Sequence, residues 1–299
     1  MKPAPFAYLR PRTLEEALEA LAANQGAKVL AGGQSLVPLL SMRLAAPGML
    51  VDINALPGLD EIATSDNGVR VGALARHARV LADEGARRVQ PLLAKALRHV
   101  AHATIRNRGT TVGSIVHADA AAELPAVLRL LDGSVEVAST SGRRAIPADE
   151  LFVGPLESSL HHDELALATT FPGLRPGEGV AFDEVARRHG DYAMCGVAAL
   201  VRVDGDQVVD ARASYLSVED VPTVVDLTAA ADDPEAAGEL ALEHLDPVAD
   251  LHASAAYRAQ LVRVLTARVL RAAIEDARER QARAQGLVST GSTNGGGHE

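Results

Sequence analysis

Two segments decide the fold of this chain: Thr104-Ile-Arg-Asn-Arg-Gly-Thr-Thr-Val-Gly-Ser-Ile-Val-His-Ala-Asp119 and Ala31-Gly-Gly-Gln-Ser35. Each packs glycine with serine or threonine into a short polar turn that apolar runs border on both sides. Backbone amides converge on a phosphate only where side chains are nearly absent, so this is the composition that a pyrophosphate site requires. Two such loops predict one phosphate-bearing ligand that is held from two sides.

The first loop is predicted to lie in a small α/β subdomain formed by residues 1–56. There a short buried strand runs into the glycine turn and a helix follows, which aims free N–H groups and a helix dipole at an anion. The predicted elements are a helix at 13–23 that opens with the capping box Thr13-Leu-Glu-Glu16, strands at 28–31 and 49–53, and a helix at 36–44.

The second loop is predicted to lie in a larger subdomain, residues 57–175. Asn67-Gly68 between two apolar runs indicates a β-hairpin. The other predicted elements are helices at 76–83, 91–102 and 121–131 and strands at 135–138, 143–146 and 164–171. The glycine-rich residues 173–179 are predicted to be a linker.

Residues 178–286 are predicted to form a third unit, an antiparallel meander followed by two helices. Its predicted strands are 180–188, 197–203 and 207–217, and its predicted helices are 234–244 and 253–284. The remaining residues, 287–299, are rich in glycine, serine, threonine and asparagine and are predicted to be disordered.

Composition excludes several classes of protein. A net charge of −10, scattered basic residues and 3% aromatic residues disfavour nucleic-acid binding. The single cysteine, Cys195, excludes a disulfide framework, a Cys-based zinc site and an iron–sulfur cluster carried by this chain alone. No apolar run reaches the roughly 18–20 residues of a membrane helix. The N-terminal residues lack the apolar stretch of a signal peptide, so a cytoplasmic location is predicted.

Four segments, in order, resemble the FAD-binding medium subunit of the molybdenum hydroxylase family, which includes carbon monoxide dehydrogenase, xanthine dehydrogenase and N-heterocycle hydroxylases. The resemblance covers about residues 1–285. It rests on Ala31-Gly-Gly-Gln-Ser-Leu-Val-Pro-Leu-Leu40, on Ile105-Arg-Asn-Arg-Gly-Thr with Ala118-Asp119 and Glu123-Leu-Pro125, on Ile146-Pro-Ala-Asp-Glu-Leu-Phe-Val-Gly-Pro-Leu-Glu157, and on Arg187-Arg-His-Gly-Asp-Tyr-Ala193 with Gly196-Val-Ala-Ala199.

The resemblance implies an α+β fold related to vanillyl-alcohol oxidase (PCMH-type), with two FAD-binding subdomains and a C-terminal α/β domain that contains an antiparallel sheet. It implies that this chain passes electrons through FAD to an external acceptor. It also implies a large subunit that binds molybdopterin and substrate and a small subunit with two [2Fe–2S] clusters, assembled as a dimer of heterotrimers. The lone cysteine is consistent with metal centres on other chains.

The resemblance also implies which residues meet the cofactor. The two loops would contact the diphosphate, and Asp119 and Glu123 would accept from the ribityl or adenosine hydroxyls. Leu165 would lie against the isoalloxazine, and Tyr192 would cover a flavin face. The residues implied at the loops are Ala31, Gly32, Gly33, Gln34, Ser35, Leu36, Thr110, Thr111, Gly113 and Ser114. No catalytic acid–base pair and no metal site are expected on this chain.

Three positions depart from the family pattern of the second loop. Val112 stands where a first glycine is common, Ser114 replaces an asparagine, and Ala120 replaces a proline. A β-branched residue resists positive φ, so the turn is expected to keep Val112 in an ordinary backbone region.

Other interpretations remain open at this point. The chain could be a self-contained flavoenzyme of the same fold, resembling UDP-N-acetylenolpyruvoylglucosamine reductase, or an assembly subunit without flavin. His99 and His102 have a spacing that suits a metal but also a solvated helix face, which is favoured. Arg106 and Arg108 could offset phosphate charge, bind a partner subunit or form surface ion pairs. Cys195 is expected to be a small buried residue.

Overall fold

The computed structural model describes residues 2–286, and the predicted tail at 287–299 lies outside the described residues. Helices and strands are mixed along this part of the chain, and its three larger sheets contain three, five and four strands. The α+β fold class predicted from the sequence is confirmed.

The first sheet is small and entirely parallel. Its strands have the order β1-β3-β2, and the helices α1 and α2 connect them. The elements are β1 (Ala7–Leu9), α1 (Leu14–Ala23), β2 (Ala27–Leu30), α2 (Leu36–Met42) and β3 (Met49–Asp52). Strand β1 was not predicted because its three residues are exposed and show no alternation.

The start of α1 differs in one detail from the capping box expected there. Thr13 Oγ1 accepts from the Glu16 amide at 3.2 Å, as expected. Glu16 Oε2, however, accepts at 2.8 Å from the amide of Arg12 and not from that of Thr13. The carboxylate therefore satisfies the donor one residue before the cap.

The second sheet is antiparallel, with the order β4-β5-β10-β6-β7, and the predicted hairpin at Asn67-Gly68 joins β4 to β5. Its strands are β4 (Ile62–Ser65), β5 (Gly68–Gly72), β6 (Ser134–Ser139), β7 (Gly142–Pro147) and β10 (Leu165–Pro172). The short strands β8 (Phe152–Gly154) and β9 (Glu157–Ser158) pair with each other in a separate two-stranded sheet. The helices are α3 (His77–Ala82), α4 (Glu84–Val89), α5 (Pro91–Leu97), α6 (Ala103–Arg106), α7 (Thr111–His117), α8 (Glu123–Leu130) and α9 (Ala148–Leu151).

The second predicted loop is largely helical, which corrects its interpretation as a short polar turn over residues 104–119. Two short helices, α6 and α7, occupy it, and only residues 107–110 between them form a turn. Thr110 caps α7 by accepting from the Gly113 amide at 3.2 Å. Within α7, the side chains of Val112 and Ile115 are buried. Val112 lies inside α7 and keeps an ordinary backbone region, as expected.

The third sheet is antiparallel, with the order β11-β12-β13-β14. Its elements are β11 (Glu178–Ala186), β12 (Ala193–Asp204), β13 (Gln207–Leu216), β14 (Thr223–Asp226), α10 (Pro234–Glu243) and α11 (Ala255–Ala284). Along β12, Ala198 and Leu200 join the core shared with the first two sheets, whereas Val197, Ala199 and Val201 join the core beneath α11. Side chains alternate across a strand, so a strand buried on both faces reads as one apolar run.

Candidate functional site

The first glycine loop connects β2 to α2 and presents a row of unpaired backbone donors. Within residues 2–286, the amides of Gly32 to Leu36 donate to no protein acceptor. Gly33 has φ +71°, a left-handed conformation that glycine adopts without strain. Gln34 Nε2 donates to the Gly32 carbonyl at 3.0 Å, which fixes the peptide that carries the Gly33 amide. These consecutive donors can receive an anion.

The second loop places the N-terminus of α7 beside the segment that precedes α3. Arg76 and Thr110 form an antiparallel β-bridge. The His77 amide donates to the Gly109 carbonyl at 3.0 Å, and the Thr111 amide donates to the Ala75 carbonyl at 3.2 Å. The turn between α6 and α7 is therefore anchored by backbone hydrogen bonds, and Thr110 and Thr111 at the start of α7 are buried.

The two loops are in direct backbone contact. A Cβ on Gly32 would lie 2.8 Å from Gly109 Cα and closer still to the Arg108 carbonyl oxygen. Only glycine permits this approach, because a side chain at position 32 would occupy the space of the second loop. The structure thus brings together the two loops that the sequence suggested.

Two side chains that sequence reasoning missed join these loops. Asn54 Nδ2 donates to the Ala31 carbonyl at 2.9 Å, and Asn54 Oδ1 accepts from Arg76 Nη2 at 2.7 Å. Arg76 Nη1 donates to the Arg108 carbonyl at 2.6 Å. Neither residue lies in a glycine-rich motif, so only the position of Asn54 just after a predicted strand could have drawn attention to it.

Asn54 is itself held by Asp52 at the end of β3. Asp52 Oδ1 accepts from the Asn54 amide at 3.0 Å and from Asn54 Nδ2 at 2.6 Å, while Tyr8 donates to Asp52 Oδ2 at 2.5 Å. Burial alone disfavours the Asp52 carboxylate, but the hydrogen bonds from Tyr8 and Asn54 outweigh it and lower the pKa of Asp52. Asp52 is therefore a charged acceptor that orients the Asn54 amide.

His77 and Thr111 fill the space behind the second loop. His77 is 4% exposed, and its Nδ1 lies 3.4 Å from Thr111 Oγ1. Burial, and then the positive charge of Arg106, lowers the pKa of His77 to about 4. The imidazole is neutral at pH 7, and its role in this position is to support the loop.

A second group of predicted residues gathers between α7 and α8, where Asp119 and Glu123 face Tyr192 and Glu184. Glu123 is 9% exposed, and burial, reinforced by the charges of Glu184 and Asp119, raises its pKa to about 8. Burial, together with the carboxyls of Asp119 and Glu123, raises the pKa of Tyr192 to about 12, although 62% of that residue is exposed. At pH 7, Glu123 is mostly a neutral acid that can donate as well as accept a hydrogen bond.

Leu165 lies apart from these groups, in β10. It pairs with Ala138 of β6 and is 2% exposed, as part of the main core. Its predicted contact with the isoalloxazine stays a prediction.

Several other candidates have structural roles. Arg106 Nη1 donates to the carbonyls of Val100 and Ala101 at 2.8 and 2.7 Å. His99 contacts Glu184, with Nδ1 and Oε1 3.5 Å apart, and packs on Phe182. Burial raises the pKa of the Cys195 thiol to about 12, which leaves it unreactive.

Residues 2–286 contain neither a candidate metal site nor a candidate membrane helix. No cluster of three or more histidine, cysteine, aspartate or glutamate side chains there could hold a metal ion. Likewise, none of the helices in this part of the chain is long and apolar enough to cross a membrane.

Comparison with known protein families gives two matches that together cover most of the chain. Residues 4–174 match the FAD binding domain in molybdopterin dehydrogenase, and residues 180–273 match the CO dehydrogenase flavoprotein C-terminal domain. The chain is also 43% identical to 6-hydroxypseudooxynicotine dehydrogenase complex subunit alpha of Paenarthrobacter nicotinovorans, over 93% of this chain and 97% of that protein.

Solved structures give the same result. A chain of carbon monoxide dehydrogenase from Hydrogenophaga pseudoflava superposes with a TM-score of 0.88 at 30% identity, over 92% of this chain and 99% of that one. A chain of quinoline 2-oxidoreductase from Pseudomonas putida 86 superposes with a TM-score of 0.86 at 36% identity, over 94% and 100% of the two chains.

Proposed function

Because the chain belongs to the FAD-binding medium subunits of the molybdenum hydroxylases, a family of multi-subunit oxidoreductases, we propose that it relays electrons from [2Fe–2S] clusters on a partner subunit through FAD to an external acceptor. We further propose that residues 1–175 form the FAD-binding domain, divided at 56/57, and that residues 178–286 form the C-terminal domain.

The observation that carries the proposal is the backbone contact between Gly32 and the turn at Arg108 and Gly109. It places the row of free amides of the first loop beside the turn that precedes α7, where one diphosphate would meet both loops. The free amides from Gly32 to Leu36 fit a dianion, because local amide dipoles offset the net acidity of the chain.

Individual roles follow from the positions. The amides of the first loop, with Ser35, and Thr110, Thr111, Gly113 and Ser114 of α7 would bind the diphosphate. Asp119 and Glu123 would bind hydroxyls, and the exposed ring of Tyr192 would cover one flavin face. Leu165 would support the ring system from β10.

FAD, when bound, takes electrons one at a time from one-electron carriers and passes them in pairs to a two-electron acceptor. This chain would position the cofactor, supply donors to its phosphates and limit solvent access at Tyr192. A large molybdopterin subunit and a small iron–sulfur subunit would complete a dimer of heterotrimers in the cytoplasm.

For the complex as a whole, we propose a nitrogen-heteroaromatic substrate rather than carbon monoxide. Identity is 43% and 36% to subunits named for 6-hydroxypseudooxynicotine and quinoline, against 30% to the carbon monoxide enzyme. Both of the first two names denote nitrogen-containing aromatic rings.

The test is to purify the complex with its partner subunits and mix it anaerobically with quinoline, a pyridine derivative or carbon monoxide. Bleaching of the flavin absorbance by an N-heterocycle, lost when the iron–sulfur subunit lacks its clusters, is the expected result. Bleaching that persists without clusters would contradict the relay. Turnover of NADH by the isolated chain with a small-molecule acceptor would favour the self-contained flavoenzyme.

A further inference from the structure

The contact between the two loops depends on a bridge of side chains. Arg76 donates from one terminal nitrogen to the Arg108 carbonyl and from the other to Asn54 Oδ1, at 2.6 and 2.7 Å. Asn54 in turn donates to the Ala31 carbonyl. A guanidinium has a planar fork of donors, and this geometry lets one side chain hold two acceptors at fixed separation.

The bridge also sets the direction of a backbone donor. In a planar trans peptide the N–H points opposite to the C=O. Since Asn54 Nδ2 binds the Ala31 carbonyl, the Gly32 amide of the same peptide is turned away from Asn54, and it is one of the donors with no protein acceptor within residues 2–286. Asn54 thereby orients the first donor of the row.

Arg76 has no carboxylate partner among the ion pairs of the described residues, and both of its acceptors are neutral. Burial, and then the charge of Arg108, lowers its pKa, but an arginine remains charged at neutral pH. Its backbone pairs with Thr110, the residue that caps α7. Arg76 thus links the second loop to Asn54, the residue that holds the first loop.

We propose that Arg76 and Asn54 are positioning residues of the FAD site, which hold the two loops at the separation that one diphosphate spans. The proposal rests on the function proposed above. It assigns the effect of Arg76 to its two-pronged hydrogen bonding rather than to its charge alone.

Three variants of the full chain test this, with FAD affinity of the apo protein measured by fluorescence titration. R76Q removes the fork and the charge, and R76K keeps the charge without the fork. N54D keeps an acceptor for Arg76 but loses the donor to both the Ala31 carbonyl and the Asp52 carboxylate. Losing a hydrogen bond to a charged group predicts a rise in Kd of roughly tenfold to a hundredfold for R76Q and R76K, and a comparable rise for N54D.

Arg79, one turn further along, provides the matched control. It is exposed and binds Asp60 through Nη1, with no contact to either loop, so R79Q should leave Kd unchanged. Phosphorus NMR of bound FAD adds a readout that general destabilisation does not change: the diphosphate resonances should shift in the three variants but not in R79Q.

The outcomes separate the two proposals. Wild-type FAD affinity in R76K with weak FAD binding in R76Q would mean that charge alone acts, and would overturn the inference. Unchanged FAD binding in R76Q would also overturn it. If R76Q does not fold, N54D decides: wild-type affinity in N54D would overturn the inference. Failure of the wild-type chain to bind FAD would instead overturn the proposed function.

Discussion

Gly32 and Arg108 meet backbone to backbone although they belong to different loops and lie far apart in the chain. The contact closes one end of the proposed cofactor site, and it leaves no room for a side chain at position 32. Substitution of this glycine therefore tests the site directly.

We expect Gly32→Ala to abolish or strongly weaken FAD binding, because the new methyl group must push the turn at Arg108 and Gly109 away from the first loop. The measurement is retention of flavin absorbance after desalting. Gly48→Ala is the matched control, since a Cβ at Gly48 has no neighbour within 4 Å. Equal flavin retention in both variants would show that the loops need not touch.

Thr110→Ala should weaken both the fold and FAD binding. The hydroxyl caps α7, and losing such a cap costs about 1 kcal/mol of unfolding free energy. Thr13→Ala is the control, because Thr13 caps α1 through a bond of the same length, 3.2 Å. The free energy of unfolding, measured with denaturant, should fall in both variants, whereas FAD affinity should fall only in Thr110→Ala. Thr110→Ser, which keeps the hydroxyl, should restore both quantities.

Stability should fall with rising pH because of Glu123. Its pKa is raised from an ordinary value of 4.5 to about 8 in the folded chain, so the folded state binds the proton more tightly than the unfolded state between these values. The free energy of unfolding therefore decreases across that window, by up to about 1.4 kcal/mol per pH unit, and levels off above it.

Glu123→Gln removes this titration while keeping the shape of the side chain. Its unfolding free energy, measured by denaturant at pH 6 and pH 9, should change less than that of the wild type. Glu275→Gln, at an exposed position of α11, should follow the wild type. A wild-type pH slope in Glu123→Gln would assign the effect to another titratable group.

Tyr192→Ala should alter the flavin and not the fold. The residue is 62% exposed, so its removal should change unfolding free energy by only about 0.5 kcal/mol or less. Loss of a covering ring should change the fluorescence and the solvent accessibility of bound FAD, measured by iodide quenching. Tyr257→Ala, on the exposed start of α11, is the control. Identical quenching in the two variants would place Tyr192 away from the flavin.

Local signals were sufficient for much of the fold. The Asn67-Gly68 hairpin, the capped helix after Thr13 and the glycine turn before Leu36 were predicted because turn chemistry and caps are short-range properties. The long apolar strand β12 was also predicted, but its burial on two faces was not, because periodicity cannot tell which element covers each side.

The helix α7 shows where local propensity failed. Thr111, Val112 and Gly113 disfavour a helix, so the segment was interpreted as a loop. Burial of Val112 and Ile115 against the sheet and the cap from Thr110 outweigh that preference. Tertiary packing of this kind cannot be calculated from the segment itself.

The bridge from Asn54 to Arg76 depends on long-range geometry. Each residue has an unremarkable neighbourhood in sequence, and the pair forms only because β3 ends beside the segment that precedes α3. Glu184, whose charge adds to burial in raising the pKa of Glu123, is likewise distant in the chain and comes from β11. The glycine loops could be found by composition, whereas the residues that hold them could not.

The parallel sheet β1-β3-β2 is built from strands of only three or four residues, and its small size bears on how fast the protein is degraded in the cell. So small a unit buries little surface by itself, and a dinucleotide bound as proposed, against both this unit and its neighbour, would add free energy in proportion to the logarithm of its concentration. The supply of flavin to the cell would then govern how quickly proteases degrade this subunit. Flavin starvation would lower the abundance of the subunit before it lowered the specific activity of assembled complexes.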